Sequence, residues 1–130
     1  MSRKVAAIVG IFVLSACATE KGVPVNGAEL KQLLPGTQIE STGWEGSQVV
    51  AHYAADGRVS ESWAGRYNGS GTWRVEGDAV CLSWDRQSKP AWQDGCWAAE
   101  KMTNGTLRFV ETQGPTPGEV TVHDAMIRHE

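Results

Sequence analysis

The segment Thr-Trp-Arg-Val-Glu-Gly-Asp-Ala-Val-Cys-Leu-Ser-Trp, residues 72–84, decides the fold of this chain. Apolar and polar residues alternate on both sides of Gly77-Asp78, a period of two that is typical of antiparallel strands with one buried face. Glycine at the first position of a two-residue loop suits a type II′ turn. The resulting register pairs Val75 with Val80. It predicts an apolar face made of Trp73, Val75, Val80, Leu82 and Trp84.

A second hairpin is predicted upstream, from Gln48–Ala54 and Val59–Trp63. A three-residue loop with Gly57 in the left-handed region pairs Tyr53 with Val59. This register gathers the apolar residues of both strands on one face: Val49, Ala51, Tyr53, Val59 and Trp63.

Glu61 is the one polar residue on that apolar face, while His52, Ser60 and Ser62 share the opposite face. A two-residue loop would instead set His52 opposite Glu61 and mix the faces, so the first register is preferred. The pattern leaves open which of the two, Glu61 or His52, faces the protein interior.

The remaining elements are short. Asn26, with Glu29 three residues later, is typical of a capped helix start, and Ala28–Leu34 fits two helical turns. Further strands are predicted at Thr37–Thr42, Cys96–Met102, Thr106–Val110 and Glu119–His123. Seven or eight strands at this spacing indicate an all-β fold, a small antiparallel barrel or sandwich with one short N-terminal helix.

The N-terminus has the pattern of an export signal. Residues Met1–Lys4 carry two positive charges, and Val5–Leu14 is an uncharged apolar run that is too short to span a bilayer. Leu14-Ser15-Ala16-Cys17 resembles the lipobox of bacterial lipoproteins. The resemblance implies cleavage before Cys17 and a diacylglyceryl thioether on its sulfur.

This resemblance predicts three parts of the chain: a signal peptide over 1–16, a lipidated N-terminus and tether over 17–26, and a single β domain over 27–130. Two or three acyl chains on one cysteine would anchor the protein stably in a membrane. Position 18 is Ala rather than Asp. The lipoprotein sorting rule then implies the periplasmic face of the outer membrane.

The other two cysteines, Cys81 and Cys96, are expected to form one disulfide in an oxidising cell envelope. The bond would close a loop of about 16 residues, which the chain-entropy model values at about 3 kcal/mol. A metal site is not expected, because two cysteines at this spacing form no Cys-x-x-Cys pair and no suitably spaced histidines accompany them.

Charge and motifs exclude several function classes. Removing Arg3 and Lys4 with the signal leaves 10 basic against 15 acidic residues, a net charge of −5. This argues against a nucleic-acid partner, which needs a basic surface. No Gly-x-Ser-x-Gly elbow is present. The acidic residues in or near turns are interpreted as solvated carboxylates: Glu61, Glu76, Asp78, Asp85 and Asp94. No catalytic residue, cofactor or metal is therefore expected, and the protein is predicted not to be an enzyme.

Tryptophan is the unusual feature, with six residues in 130. Trp63, Trp73 and Trp84 fall on apolar strand faces and are predicted to be core residues. The candidate ligand-binding residues are those near loops, where aromatic side chains stack on sugars or pack on partners: Trp44, Trp92 and Trp97. For Trp92 and Trp97 the alternative is packing beside the loop and disulfide.

The run Gly69-x-Gly71-x-Trp73, followed by residues 75–84, resembles a group of small secreted proteobacterial proteins that have no assigned activity. Its Gly-x-Trp strand start is also similar to that of calycins, the lipocalin-like barrels. The expected function is a non-catalytic binding or envelope-maintenance lipoprotein, with a small apolar or glycan ligand or an envelope protein as partner. The alternative is a periplasmic protease inhibitor, because small metalloprotease inhibitors are also disulfide-bearing barrels with a mobile N-terminal arm.

Overall fold

The computed structural model describes residues 22–42, 46–90, 93–114, 117 and 120–129. This part of the chain forms nine strands and one helix. In chain order they are β1 (Val23–Val25), α1 (Gly27–Leu33), β2 (Thr37–Thr42), β3 (Gln48–Tyr53), β4 (Arg58–Trp63), β5 (Tyr67–Glu76), β6 (Ala79–Trp84), β7 (Gly95–Lys101), β8 (Leu107–Gln113) and β9 (Val120–His129).

The strands form a small antiparallel barrel. Each strand from β2 to β9 pairs with the next along the chain, and β9 pairs back onto β2, so that the ends of the meander meet. The closing pair sets Ile127 opposite Ile39. The predicted all-β fold with one short N-terminal helix is confirmed. Of the two architectures left open, the pairing is that of a barrel, which leaves fewer free strand edges than a sandwich.

Both predicted hairpin registers are confirmed. Val75 lies opposite Val80, and Tyr53 lies opposite Val59. Gly77 has a φ of +57°, whereas Ala64 is the one non-glycine of positive φ within the described ranges. Asp78 therefore has a negative φ, as a type II′ turn requires. Because a slip of one residue would reverse every side chain, these registers decide which residues form the core.

Helix α1 packs into one end of the barrel. Its N-cap Asn26 accepts a hydrogen bond from the backbone of Glu29 at 2.9 Å, as the sequence predicts. Leu30 and Leu34 are fully buried in the core. The backbone N–H of Gly27 donates to Asp78 in the β5–β6 turn at 2.8 Å, which joins the helix to this end. Within the described residues, no helix has the length and apolar character needed to cross a bilayer.

Strand β1 lies where the tether was expected. Residues 17–21 of that predicted tether fall outside the described residues, but Val23–Val25 pair with β7. Val25 is buried, whereas Val23 is exposed. Three residues are too few to display an alternating pattern in the sequence, so pairing with β7 determines this strand.

Three other strands are longer than predicted. β5 begins at Tyr67, before the predicted Thr72, although its first half contains Gly69 and Gly71. β8 continues to Gln113, and β9 runs to His129. Glycine lowers local strand preference, and in β5 pairing with β4 and β6 overrides that preference.

The two body cysteines face each other in neighbouring strands. Cys81 in β6 is the direct partner of Cys96 in β7, and their sulfur atoms lie at disulfide distance, 2.04 Å. The predicted pairing is confirmed. Both residues are buried, so the bond staples β6 and β7 across the ten-residue loop 85–94.

Replacing both cysteines with serine should lower the free energy of unfolding by about 3 kcal/mol, because the unfolded chain regains the entropy of the closed loop. Urea denaturation of the purified full-length protein would measure this loss. Reduced wild-type protein should show the same loss, and Ser83→Ala, on the same strand, serves as control. A change below about 1 kcal/mol would contradict the proposed staple.

Candidate functional site

Apolar side chains of the helix and strands fill the interior of the barrel. An eight-stranded barrel is just wide enough for side chains to fill it or for one small ligand to bind inside. Here large core residues from opposite walls meet: Leu30, Leu34, Tyr53, Trp84 and Phe109. The interior near α1 therefore serves as a packed core.

Glu61 brings a carboxylate to this interior. It lies opposite Ala51 in β3 and Gly69 in β5, on the strand face that carries Val59. The open question of Glu61 against His52 is thereby settled, since alternation sends Glu61 inward and His52 outward. The interpretation of Glu61 as a solvated turn carboxylate is wrong, because its side chain is only 18% exposed. A carboxylate in such surroundings needs a charged partner.

Lys89, from the β6–β7 loop, supplies that partner. Its Nζ lies 2.5 Å from Glu61 Oε1, and the two side chains are only 15% and 18% exposed. Lys89 Nζ also lies 3.9 Å from the centroid of the Trp84 ring, in cation–π geometry. One ammonium group thus contacts a carboxylate and an aromatic face.

Gly69 makes room for the lysine stem. A Cβ built on Gly69 would lie 2.3 Å from Cε of Lys89, well inside van der Waals contact. Any other residue at position 69 would force Lys89 to move. The glycine in the middle of β5 therefore has a packing role that its weak strand preference conceals. We call Glu61, Gly69, Trp84 and Lys89 the ammonium cluster.

The loop that carries Lys89 is fixed to the barrel by other contacts. Asp85 pairs with Arg58 of β4 at 2.7 Å and accepts a hydrogen bond from the hydroxyl of Ser70. The Ser88 hydroxyl donates to the carbonyl of Ser70 at 3.0 Å. These contacts fasten the first half of the loop to β4 and β5.

Asp94 fastens the end of the loop. It pairs with Arg86 at 2.5 Å and accepts a hydrogen bond from the backbone of Trp84 at 2.8 Å. The Arg86 guanidinium holds the pKa of Asp94 below its ordinary value, and Arg58 does the same to the pKa of Asp85. Both carboxylates, predicted as solvated loop groups, are half-exposed partners of arginine.

Tyr53 lies deeper in the same interior. Burial raises the pKa of its phenol, and the neighbouring charge of Glu61 raises it further. Its ring meets Trp73 edge-on, with the centroids 5.8 Å apart. Trp73 Nε1 donates to the carbonyl of Ala54 at 2.9 Å. Both aromatic residues thus have structural partners, in agreement with the core role predicted for Trp73.

A groove of about 280 Å³ runs over the outside of β3, β4 and β5. The strand register brings short polar side chains together there, since His52 lies opposite Ser60 and Ser62 lies opposite Asn68. We call it the serine groove, and its walls carry His52, Ser60, Ser62, Asn68 and Ser70, with Glu61 and Gly69 between them in the strands.

The candidate residues named from the sequence are placed as follows. Cys17, Trp44 and Trp92 lie outside the described residues. Trp97 is half-buried against the core, opposite Val80, and its indole N–H is buried without a hydrogen-bond partner in the described part of the chain. Its position agrees with the packing alternative, and a ligand role for these tryptophans stays a prediction. Trp84 is buried in the core.

The sequence does not predict Lys89 as a site residue, because its contact with Glu61 joins residues 28 apart in the chain. The available signals were Glu61, polar on an apolar face, and Gly69, a glycine on the inward face of a strand. Both indicate that something polar enters the barrel at this level. Neither identifies which of the basic residues does so.

One group of potential metal ligands occurs among the described residues: Glu76, Cys81 and Cys96. The two sulfur atoms are bonded to each other, so neither is available as a thiolate ligand. The disulfide bond therefore explains why the two sulfur atoms of this group lie so close together.

Comparisons with known proteins add no relative: no family model, no curated protein and no solved structure matches the chain. Its function must therefore be inferred from its own residues.

Lys89→Met should lower the free energy of unfolding by about 2 kcal/mol, because it leaves the Glu61 carboxylate buried and unpaired. The double variant Glu61→Leu/Lys89→Met should recover most of that loss, since it removes both charges. Urea denaturation of all four proteins gives the coupling energy. A coupling near zero would mean that the two groups do not interact in the folded protein.

Lowering the pH should reduce the free energy of unfolding, because it protonates Asp94. Because Arg86 depresses the folded-state pKa, the carboxylate stabilises the fold above the unfolded value of about 4 and loses this contribution as pH falls. The stability gap between wild type and Asp94→Asn should therefore shrink between pH 6 and pH 2. Asp78→Asn, at the helix end of the barrel, is the matched control, and a pH-independent gap for Asp94→Asn would contradict the ion pair.

Proposed function

We propose that this protein is a lipid-anchored lipoprotein of the bacterial cell envelope, and that its barrel is a non-catalytic binding module. The binding surface is the serine groove. The single observation that carries this proposal is the contrast between a packed interior and an outer groove whose short side chains carry hydroxyl and amide groups. The barrel presents hydrogen-bonding groups to the outside while its own core is occupied.

The lipid anchor is supported by the sequence around Cys17. Leu14-Ser15-Ala16-Cys17 follows a charged start and an apolar run, the context in which a lipobox is read. With two or more acyl chains on Cys17, the barrel would stay within a short distance of the membrane. Because position 18 is Ala rather than Asp, we assign the anchored protein to the periplasmic face of the outer membrane.

The groove favours a polyhydroxylated ligand such as a glycan. Serine hydroxyls both donate and accept hydrogen bonds, and the Asn68 amide does the same through separate atoms. A volume of about 280 Å³ lies just below the usual range for small-molecule sites, which fits one sugar ring of a longer chain. In the envelope, peptidoglycan is the glycan that a periplasm-facing lipoprotein meets.

A binding role rather than catalysis is supported by the partners of the charged groups. The carboxylates nearest the loop, Asp85 and Asp94, are held by Arg58 and Arg86. Glu61 is held by Lys89. A catalytic acid or base needs a proton to exchange with substrate, and arginine partners keep a carboxylate ionised.

The alternative of a protease inhibitor depends on a mobile N-terminal arm. Strand β1 ties residues 23–25 to β7. An arm able to enter another protein's cleft would have to precede Gly22. The binding module is the preferred proposal because its surface is formed by the described strands β3, β4 and β5.

Soluble peptidoglycan fragments should shift the side-chain amide signals of Asn68 in ¹H–¹⁵N spectra of the full-length protein in detergent. The affinity should be in the millimolar range, as expected for a shallow groove that holds one ring. The double variant Ser60→Ala/Asn68→Ala should weaken binding at least fivefold, because two hydrogen-bonding side chains are lost. Nuclear magnetic resonance titration measures both effects.

The matched control is Ser83→Ala, which removes a hydroxyl from β6 outside the groove and should leave the affinity unchanged. Binding that survives the double variant would place the glycan elsewhere. Absence of any shift at Asn68 would refute the groove as the binding surface. Mass spectrometry of the N-terminal peptide tests the anchor separately, because acylated Cys17 has an added lipid mass and Cys17→Ala does not.

A further inference from the structure

The ammonium cluster has the composition of a ligand site. A carboxylate at 2.5 Å and an indole ring at 3.9 Å both contact the Nζ of Lys89. Aromatic faces combined with a negative charge are a recurrent way to bind ammonium ligands. The unusual feature is that the occupant belongs to the same chain.

We propose that the barrel contains a binding site for a primary alkylammonium group, and that Lys89 occupies this site as an internal ligand. The site is made of Glu61, Trp84 and the space above Gly69. Lys89 thereby closes the site to amines from outside. An unbranched alkylammonium group can bind there when the lysine is absent. This inference does not depend on the groove or on the lipid anchor.

The geometry favours a primary ammonium on an unbranched stem. Lys89 has four methylenes, and its Cε passes over Gly69 so closely that a single added carbon at position 69 would collide with it. Glu61 supplies charge and a hydrogen-bond acceptor, and Trp84 supplies an apolar face, so an uncharged group of equal size loses both electrostatic contacts.

The site should persist without Lys89 because its walls have other supports. Trp84 lies in β6, and Glu61 and Gly69 lie in paired strands. The loop keeps its contacts through Asp85 and Asp94. Truncation of Lys89 therefore removes the occupant and leaves the surrounding strands paired.

Chemical rescue tests this proposal directly. Lys89→Ala deletes three carbons and one ammonium, which is the composition of n-propylamine. With a Kd of about 10 mM for the amine, addition of n-propylammonium chloride at 50 mM should raise the melting temperature of the full-length Lys89→Ala protein by about 4 °C. Thermal unfolding monitored by circular dichroism measures the shift against the same concentration of sodium chloride.

Three controls separate the site from general effects. Wild-type protein should not respond, because tethered Lys89 has a high effective concentration and outcompetes the free amine. Glu61→Gln/Lys89→Ala should not respond, because the carboxylate is gone. n-Propanol should give no comparable shift on Lys89→Ala. A shift of equal size in wild type or in the Glu61→Gln background would overturn the proposal, as would no shift in Lys89→Ala.

A second measurement covers the case in which Lys89→Ala does not fold. In wild-type protein the Nζ protons of Lys89 should exchange with water slowly enough to give a ¹H–¹⁵N signal, since the group is bonded and largely buried. Glu61→Gln should accelerate that exchange at least tenfold. A Lys89 Nζ signal that is absent in wild type, or unaffected by Glu61→Gln, would refute the internal-ligand site without any need for the truncated variant.

Discussion

The Glu61 carboxylate sets the main constraint on the end of the barrel that carries the β6–β7 loop, because it needs a charged partner there. Its strand register sends a carboxylate into an interior lined mainly by apolar residues, and leaving that charge unpaired would cost about 2 kcal/mol. Lys89 meets that need through a 2.5 Å ion pair. The need for this partner accounts for the glycine at position 69 and for the many contacts that hold the loop 85–94 in place.

The barrel itself depends on register in two hairpins and on one long-range pairing. The β3–β4 and β5–β6 registers decide which side chains enter the core, and the pairing of β9 with β2 closes the ring. The disulfide between β6 and β7 and the buried side chains of Leu30 and Leu34 stabilise this ring. The outer face of the barrel is the surface available for recognition. The alternation that buries Val59 places the side chains of Ser60 and Ser62 on that face.

Local sequence signals predict the elements of this fold well where turn chemistry and alternation agree. Gly77-Asp78 and Gly57 identify two hairpins with the correct registers, and Asn26 identifies the helix start. Strand β1 and the first half of β5 could not be predicted, because three residues show no period and glycines conceal a strand. Those segments are strands because of their neighbours.

The candidate site was only partly predictable for a related reason. Glu61 stood out as polar on an apolar face, but its partner lies in a loop whose path no local pattern describes. Trp84 was predicted as core, and its second role, as the aromatic wall beside Lys89, depends on the same loop. The serine groove follows from register alone, since His52, Ser60 and Ser62 were already placed on one face.

Lysine reactivity in the folded protein tests the burial of Lys89 most directly. Limited acetylation of the full-length chain, followed by peptide mass spectrometry, compares Lys89 with the exposed residues Lys31 and Lys101. The ion pair predicts that Lys89 reacts at least tenfold more slowly than either, and that Glu61→Gln removes most of that protection. Equal rates at all three lysines would contradict it, because they would place the Lys89 ammonium in solvent.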